Sequence, residues 1–246
     1  MSLTGVLCGV LSSGMDGLTG QRRLTPLWTP AFLTGLAADL LVAEARAAGG
    51  LWQDAAKTVP AVVATDPVRV AVGVYAGVEW TAPSDSARPT LVDDGGGKWL
   101  LSFDGVDDLL VCSVPVDMLF AAARAAYTAG TFAGFDGLVT GGEPTDADVW
   151  LIGNSGTGNF FPTFANFASY RFNGAEVSPY TAPMSGVPGT CCLTKSVASE
   201  DATPQVGRDR ANASRHWSGG VRGVVVLSAV PSADELESLE SYLGGL

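Results

Sequence analysis

Three carboxylates stand close together in the stretch KWLLSFDGVDDLLVCSV, residues 98–114. The three residues are Asp104, Asp107 and Asp108. They could bind a metal ion, work as a general acid and base, or stabilise a turn. Calcium loops usually place oxygen ligands at alternate positions and add a distal Glu or carbonyl groups, a spacing not met here. Asp104-Gly105 suits a tight hairpin, because both residues tolerate positive φ, and the next two Asp residues can cap backbone N–H groups where a strand begins. The pattern favours a structural turn, with a metal site as the weaker alternative.

Catalytic chemistry has little support elsewhere in the chain. The single histidine, His216, stands beside Trp217 in a Gly/Ser-rich stretch, and we expect it in a turn at a sheet surface. A Ser-His-Asp arrangement would need this histidine, yet no G-x-S-x-G elbow is present, and the cysteines lack zinc-site spacing. A carboxylate pair for glycoside hydrolysis stays open, although no pair stands out. We therefore predict that the protein is not an enzyme, with a polysaccharide hydrolase as the less favoured alternative.

The aromatic stretch NFFPTFANFASYRF, residues 159–172, is a second candidate site. It combines aromatic rings with amide and guanidinium donors, the mixture that saccharides need. Phe161, Asn166, Tyr170 and Arg171 are the candidate ligand-binding residues. A sandwich core also requires alternating aromatic residues, so burial is the favoured interpretation and sugar binding the alternative.

Composition points to a strand-rich protein. Fourteen Lys+Arg against 25 Asp+Glu give a formal net charge of −11, and the basic residues are scattered singly or in pairs, so no nucleic-acid surface is expected. Charged residues are only 16% of the chain, whereas Gly occupies 31 positions and Pro 14. This turn-rich, weakly charged composition favours many short strands, and we predict an all-β protein.

The cysteines and the N-terminal stretch indicate the cellular compartment in which the protein is assembled. Cys191 and Cys192 are adjacent and would point to opposite faces of a strand. With Cys8 and Cys112 they predict buried thiols in a protein assembled in a reducing compartment. The stretch MSLTGVLCGVLSSGMDGLTG has no basic region, and no apolar run reaches about 18 residues. We therefore expect neither a secretion signal nor membrane insertion.

The chain divides into an arm, a helix and a strand-rich domain. Glycines recur through residues 1–28 without an amphipathic period, which predicts an extended arm that becomes ordered only against another protein. Thr29-Pro30 is typical of a helix start, apolar residues follow at helical spacing, and Gly49-Gly50 would end the element, so a helix is predicted over 29–50. Over 51–246, short apolar runs alternate with Gly, Pro, Asp and Ser, which predicts a β-sandwich.

Two more helices are predicted inside the strand-rich domain. Segment 115–127 has an Ala-rich tail and predicts a short helix. Ser232 and Glu235 have capping-box spacing, and apolar residues at helical spacing follow them as far as Gly244. This pattern predicts a short C-terminal helix.

Three stretches give the chain a family resemblance. Residues 86–110, SARPTLVDDGGGKWLLSFDGVDDLL, resemble the entry segment of the concanavalin A-like, laminin-G-type jelly-roll domains of bacteriophage virion proteins. In those domains a Pro-Thr-Leu strand, a Gly-rich loop and a Phe-Asp-Gly-Val-Asp-Asp turn follow one another. Residues 51–68 resemble the segment upstream of that motif, and residues 216–243 resemble the closing strand and helix. Residues 73–85 depart from the pattern with a longer apolar insertion, which predicts a rebuilt sheet edge.

The resemblance implies a jelly-roll β-sandwich in a structural component of a phage or phage-like virion, such as a tail fibre, spike or capsid decoration, assembled in the host cytoplasm. Residues 1–28 would bind other virion proteins, and the sandwich would adhere to the host surface. Homo-oligomers are also implied, commonly trimers, although no heptad stalk enforces one. The alternative is a lectin-like module for host surface polysaccharide. No cofactor is expected, with calcium as the alternative.

Overall fold

A computed structural model describes residues 29–128, 134–143, 145, 150–154, 159–161, 167–178 and 188–246 of the chain. The strands of this part are β1 (Leu36–Leu41), β2 (Leu51–Trp52), β3 (Val70–Val72), β4 (Glu79–Thr81), β5 (Thr90–Asp93), β6 (Trp99–Asp104), β7 (Leu110–Cys112), β8 (Val116–Tyr127), β9 (Gly137–Thr140), β10 (Leu151–Asn154), β11 (Asn159–Phe161), β12 (Phe167–Phe172), β13 (Ala175–Glu176), β14 (Gly189–Ala202), β15 (Gln205–Val206) and β16 (Ser218–Leu227). Its α-helices are α1 (Val42–Ala47) and α2 (Ala233–Gly245), and Pro30–Phe32 form a 3-10 turn.

The strands form two antiparallel sheets. Sheet I has the order β13-β12-β14-β8-β16-β6-β5, and β1 also pairs with β16. Two strands pair with the same edge of β16: β6 pairs with residues 218–221 and β1 with residues 223–227. Sheet II has the order β11-β10-β9-β15-β7-β4-β3-β2. The protein is therefore an all-β sandwich, as its composition predicts.

The main core lies between the two sheets. It includes fully buried Trp80, Trp150 and Trp217, together with Phe103 and Tyr170. Along β6 the buried and less buried residues alternate, as they do in a strand with one face on a core. Burial of these large aromatic rings, together with the aliphatic residues around them, stabilises the packing of the two sheets.

Helix α2 packs on the outer face of sheet I. Leu239 and Leu243 of the helix join a second buried cluster with Phe120, Cys192 and Val225 of the sheet. The predicted capping box is present: the Ser232 hydroxyl accepts the N–H of Glu235, and the Glu235 carboxylate accepts the N–H of Ser232. The predicted C-terminal helix is confirmed, and it covers part of this face of the sheet.

The helix predicted over 29–50 is wrong. Only Val42–Ala47 are α-helical, and β1 precedes them, paired with β16 from Leu36 to Leu41. The last four residues of β1 are all buried. A strand that is covered on both faces has consecutive apolar residues, and such a run also fits helical spacing.

The helix predicted over 115–127 is also wrong, because this segment is β8, a central strand between β14 and β16. Ala121 and Ala123 face the core between the sheets, whereas Phe120 and Ala122 face the cluster under α2. Packing on both faces outweighs the helix propensity of alanine.

The segment 73–85, predicted as a rebuilt sheet edge, contributes to the β3–β4 hairpin of sheet II. This hairpin lies between the edge strand β2 and β7. The arm predicted for residues 1–28 lies outside the described residues. Neither α1 nor α2, the α-helices of the described ranges, is long and apolar enough to cross a membrane.

Candidate functional site

The Asp cluster forms a turn that its own carboxylates hold together. Oδ1 of Asp104 accepts the N–H groups of Val106 at 2.8 Å and Asp107 at 3.3 Å, and Oδ2 of Asp108 accepts the N–H of Asp104 at 2.8 Å. Gly105 has a φ of +79°, a conformation that favours glycine. The four predicted residues thus lie in one hydrogen-bonded turn.

This turn is not the hairpin that Asp104-Gly105 predicts. Strand β6, before it, pairs with β5 and β16 in sheet I, whereas β7, after it, pairs with β4 and β15 in sheet II. The chain therefore crosses here from one sheet to the other. The hairpin lies one connection earlier, where the loop 94–98 joins β5 to β6 and the N–H of Asp94 donates to the Lys98 carbonyl at 2.8 Å.

Asp108 is the buried member of the cluster, with 5% of its surface exposed. Burial, together with the negative charges of Asp104 and Asp107, raises the pKa of its carboxyl to about 6. His216 is also buried rather than at a sheet surface, and its Nδ1 lies 3.4 Å from the Asp108 carbonyl oxygen. The turn and the single histidine therefore pack against each other.

The same carboxylates have part of the geometry of a cation site. One oxygen from each of Asp104, Asp107 and Asp108 lies within 4.8 Å of the others. Calcium takes about six to eight oxygen ligands in proteins, so three carboxylates supply only part of its shell. Two of the three already accept backbone N–H groups of the turn. Calcium binding stays the weaker alternative for this turn.

The candidate ligand residues of the aromatic stretch do not form one surface. Tyr170 is 1% exposed and lies in the core between the sheets, so its ring is not available as a surface platform. Arg171 belongs to the opposite face of β12, and its guanidinium forms two hydrogen bonds of 2.9 Å with Glu240 of α2. Asn166 and the side chain of Phe161 lie outside the described residues.

An open groove lies beside α2 on the outer face of sheet I. Its volume is about 580 Å³, and it is lined by helix residues that include Leu236, Glu237 and Glu240. Strand residues Arg124 and Thr190 line it from β8 and β14. The Arg171–Glu240 ion pair lies across one side, which places both charges of that pair at the groove. Its volume falls in the range of small-molecule binding clefts, about 300 to 1,000 Å³.

Sequence reasoning missed Arg124 and Thr190. They are direct cross-strand partners in the β8–β14 pair, so their side chains stand on the same face of sheet I. One feature of the sequence could have indicated the site: Arg124 is the only charged residue in the apolar run from Leu119 to Tyr127. A charge in the middle of a central strand requires a polar environment on one face of the sheet.

Comparison with known proteins gave one resemblance among solved structures. No protein-family description matches the sequence, and a search among curated proteins found no match. The structure of a Trypanosoma rangeli sialidase in complex with sialic acid resembles the chain with a TM-score of 0.45 and 14% sequence identity. The match covers 70% of this chain and 31% of the sialidase chain, so the region in common is under a third of the length of that protein.

Proposed function

We propose that this chain is a structural component at the surface of a phage or phage-like particle, and that its sandwich adheres to the host surface. In this proposal residues 1–28 bind a neighbouring particle protein, and the sandwich is exposed outside. The contact with the host is made by association, not by a chemical reaction. The resemblance of residues 51–68, 86–110 and 216–243 to virion jelly-roll domains supports the location on a particle.

The observation that carries the adhesive role is the groove beside α2. It is open to solvent, has a volume of about 580 Å³, and is lined by both charged and apolar side chains. A sheet and a capped helix form its walls, and a site on such regular elements needs less backbone ordering on binding than one on loops. The strand–loop–strand–turn order of residues 90–108 supports the same proposal, because it is the order expected of the virion domains.

A carbohydrate-binding module outside any particle is the second candidate. The same groove favours it, since a cleft that presents guanidinium, hydroxyl and carboxylate groups suits the hydroxyls of a saccharide. The two candidate functions differ in where the protein is found. A particle component co-purifies with particles in a fixed stoichiometry, whereas a free module does not.

The test compares particles assembled with the full chain and with residues 29–246 alone. We expect the full chain to be incorporated and the truncated chain to be lost, with particles of the second kind adhering less to host cells. Incorporation would be measured by immunoblot of purified particles, and adhesion by counting cell-bound particles. Equal incorporation of both chains would contradict anchoring by residues 1–28. Adhesion that does not change when the whole chain is missing would contradict the adhesive role.

A separate assay addresses hydrolysis. The purified full chain is incubated with host surface polysaccharide, and reducing ends are measured over time. We expect no increase above a sample without protein. New reducing ends that scale with protein concentration would identify a polysaccharide hydrolase instead of an adhesive component.

A further inference from the structure

We infer that the groove beside α2 binds a carboxylate-bearing sugar, such as a uronic acid residue, through the Arg124 guanidinium and the Thr190 hydroxyl. This inference rests on the proposed adhesive function and gives its ligand class. It starts from two polar groups that the fold brings together and that lack hydrogen-bond partners within the described ranges.

Arg124 and Thr190 both have unused hydrogen-bonding capacity. The guanidinium donates from Nη1 to the Pro188 carbonyl at 3.2 Å, but its Nε is buried and has no hydrogen-bond partner among the described residues. The Thr190 hydroxyl is also buried, on a residue that is 2% exposed, and has no hydrogen-bond partner in the part of the chain that the structure describes. Buried polar groups are nearly always satisfied in native proteins. Two such groups side by side at a groove indicate that a ligand supplies the missing acceptor and donor.

The charges at the groove define the ligand further. Arg171 has its charge compensated by Glu240, with Nε–Oε1 and Nη2–Oε2 distances of 2.9 Å. Arg124 forms no ion pair with a carboxylate in the described part of the chain, and burial lowers the pKa of its guanidinium. An arginine keeps its charge nonetheless, so Arg124 is a cation of the groove that pairs with no described carboxylate. A ligand carboxylate provides an ion-pair partner and matches the planar fork of a guanidinium.

Nearby carboxylates favour a sugar acid over a phosphate. Glu237 and Glu240 line the same groove, and their negative charges disfavour a doubly charged phosphate more than a singly charged carboxylate. Carboxylates also accept hydrogen bonds from hydroxyl groups, which a sugar has in excess. The Asn173 side chain is held beside Thr190, because its Oδ1 accepts the Thr190 N–H at 2.8 Å. A sugar acid thus offers a carboxylate to Arg124 and hydroxyl groups to Thr190 and Glu237.

The experiment measures binding of two acidic probes, trigalacturonate and 3′-sialyllactose, to the purified full chain by isothermal titration calorimetry. The methyl ester of each probe is its matched control, because it keeps the size and removes the charge. We expect at least one acid to bind and its ester to bind about tenfold or more weakly. Failure of both acids to bind, or equal affinity for acid and ester, would overturn the inference. This comparison requires no altered protein.

Variants then locate the site. Arg124→Gln should weaken acid binding by about tenfold or more, and Thr190→Val by about threefold to tenfold, with unchanged unfolding midpoints as the folding control. Arg88→Gln is the matched control, because Arg88 lies outside the groove and pairs with Asp85. Unchanged binding by Arg124→Gln would place the ligand elsewhere. Particles that still adhere to cells through this chain, although no acid binds, would refute the ligand class and leave the adhesive function standing.

Discussion

Asp39 accepts a hydrogen bond of 2.6 Å from the backbone N–H of Ala76, and so joins β1 of sheet I to the β3–β4 turn of sheet II. The same carboxylate accepts the N–H groups of Val74 and Tyr75, and its backbone carbonyl accepts the indole N–H of Trp80 at 2.7 Å. Asp39 has no exposed surface. A buried carboxylate with several N–H donors is costly to replace, because each donor would lose its acceptor.

Asp39→Asn should lower the free energy of unfolding by about 2 kcal/mol, because the amide turns one acceptor oxygen into a donor that faces other donors. Urea unfolding followed by fluorescence measures the change. Asp93→Asn is the matched control, since Asp93 is exposed and its carboxylate accepts the N–H of Gly95 at 2.8 Å. Equal midpoints for the two variants would mean that Asp39 does not hold the turn.

Asp108 should make stability depend on pH. Its carboxyl has a pKa of about 6 in the folded chain against 3.8 in the unfolded chain, since burial disfavours its charged form. The folded state therefore binds the proton more tightly than the unfolded state does. The stabilisation that results is fully present below about pH 3.8 and is lost as the pH rises through about 6. Asp108→Asn cannot titrate, so the wild type should lose on the order of 2 kcal/mol relative to the variant between pH 4 and 7.

The pH series would be measured by urea unfolding of both proteins in the same buffers. A constant difference between wild type and Asp108→Asn over this range would contradict the raised pKa. Asp93→Asn, measured in parallel, controls for the loss of an exposed carboxylate.

Tyr170→Ala should destabilise the fold by about 3 to 5 kcal/mol, because the ring lies in the core and its removal leaves a cavity. Phe167→Ala, three residues earlier on β12, should cost about 1 kcal/mol or less, since Phe167 is 39% exposed. Thermal unfolding of the two variants makes the comparison. A Tyr170→Ala protein with wild-type stability and weaker glycan retention would instead assign the ring to a ligand surface.

Ser232→Ala should remove about 1 kcal/mol of stability, since the hydroxyl caps the first turn of α2. Glu235 completes the cap and also accepts the N–H and hydroxyl of Thr34, and these hydrogen bonds lower the pKa of its carboxyl to about 2. The loss from Ser232→Ala would be measured by thermal unfolding at pH 7. Ser238→Ala, within the same helix, should leave the midpoint unchanged, and an equal loss from both substitutions would argue against a capping role.

The sequence predicts the fold best for strands and helices that have one buried and one exposed face. Strand β6 alternates in burial, and α2 has both a cap and an apolar stripe, so each has a pattern of its own. Strands β1 and β8 are covered on both sides, by the opposite sheet and by the cluster under α2, so their sequences show no period of two. Local patterns cannot separate a doubly covered strand from a helix, because that difference lies in distant chain segments.

In the candidate site, too, the sequence predicts local features but not those that depend on distant chain segments. The Asp turn is local, and its hydrogen bonds link residues at most four positions apart, so the sequence suffices to place it. It does not reveal that the turn connects two sheets, since strand partners are distant in sequence. Arg124 and Thr190 come together only through the β8–β14 register. A shift of this register by one residue would move each side chain to the other face.

Cys191 and Cys192, adjacent in β14, lie in different layers of the protein. Cys191 belongs to the core between the sheets, and Cys192 to the cluster between sheet I and α2. Burial raises the pKa of both thiols, to about 12 for Cys191, so neither reacts readily while its layer is closed. Single-cysteine proteins would therefore report two separate opening events by their rates of thiol labelling. Undocking of α2 alone exposes Cys192, whereas Cys191 becomes reactive only when the sandwich itself opens.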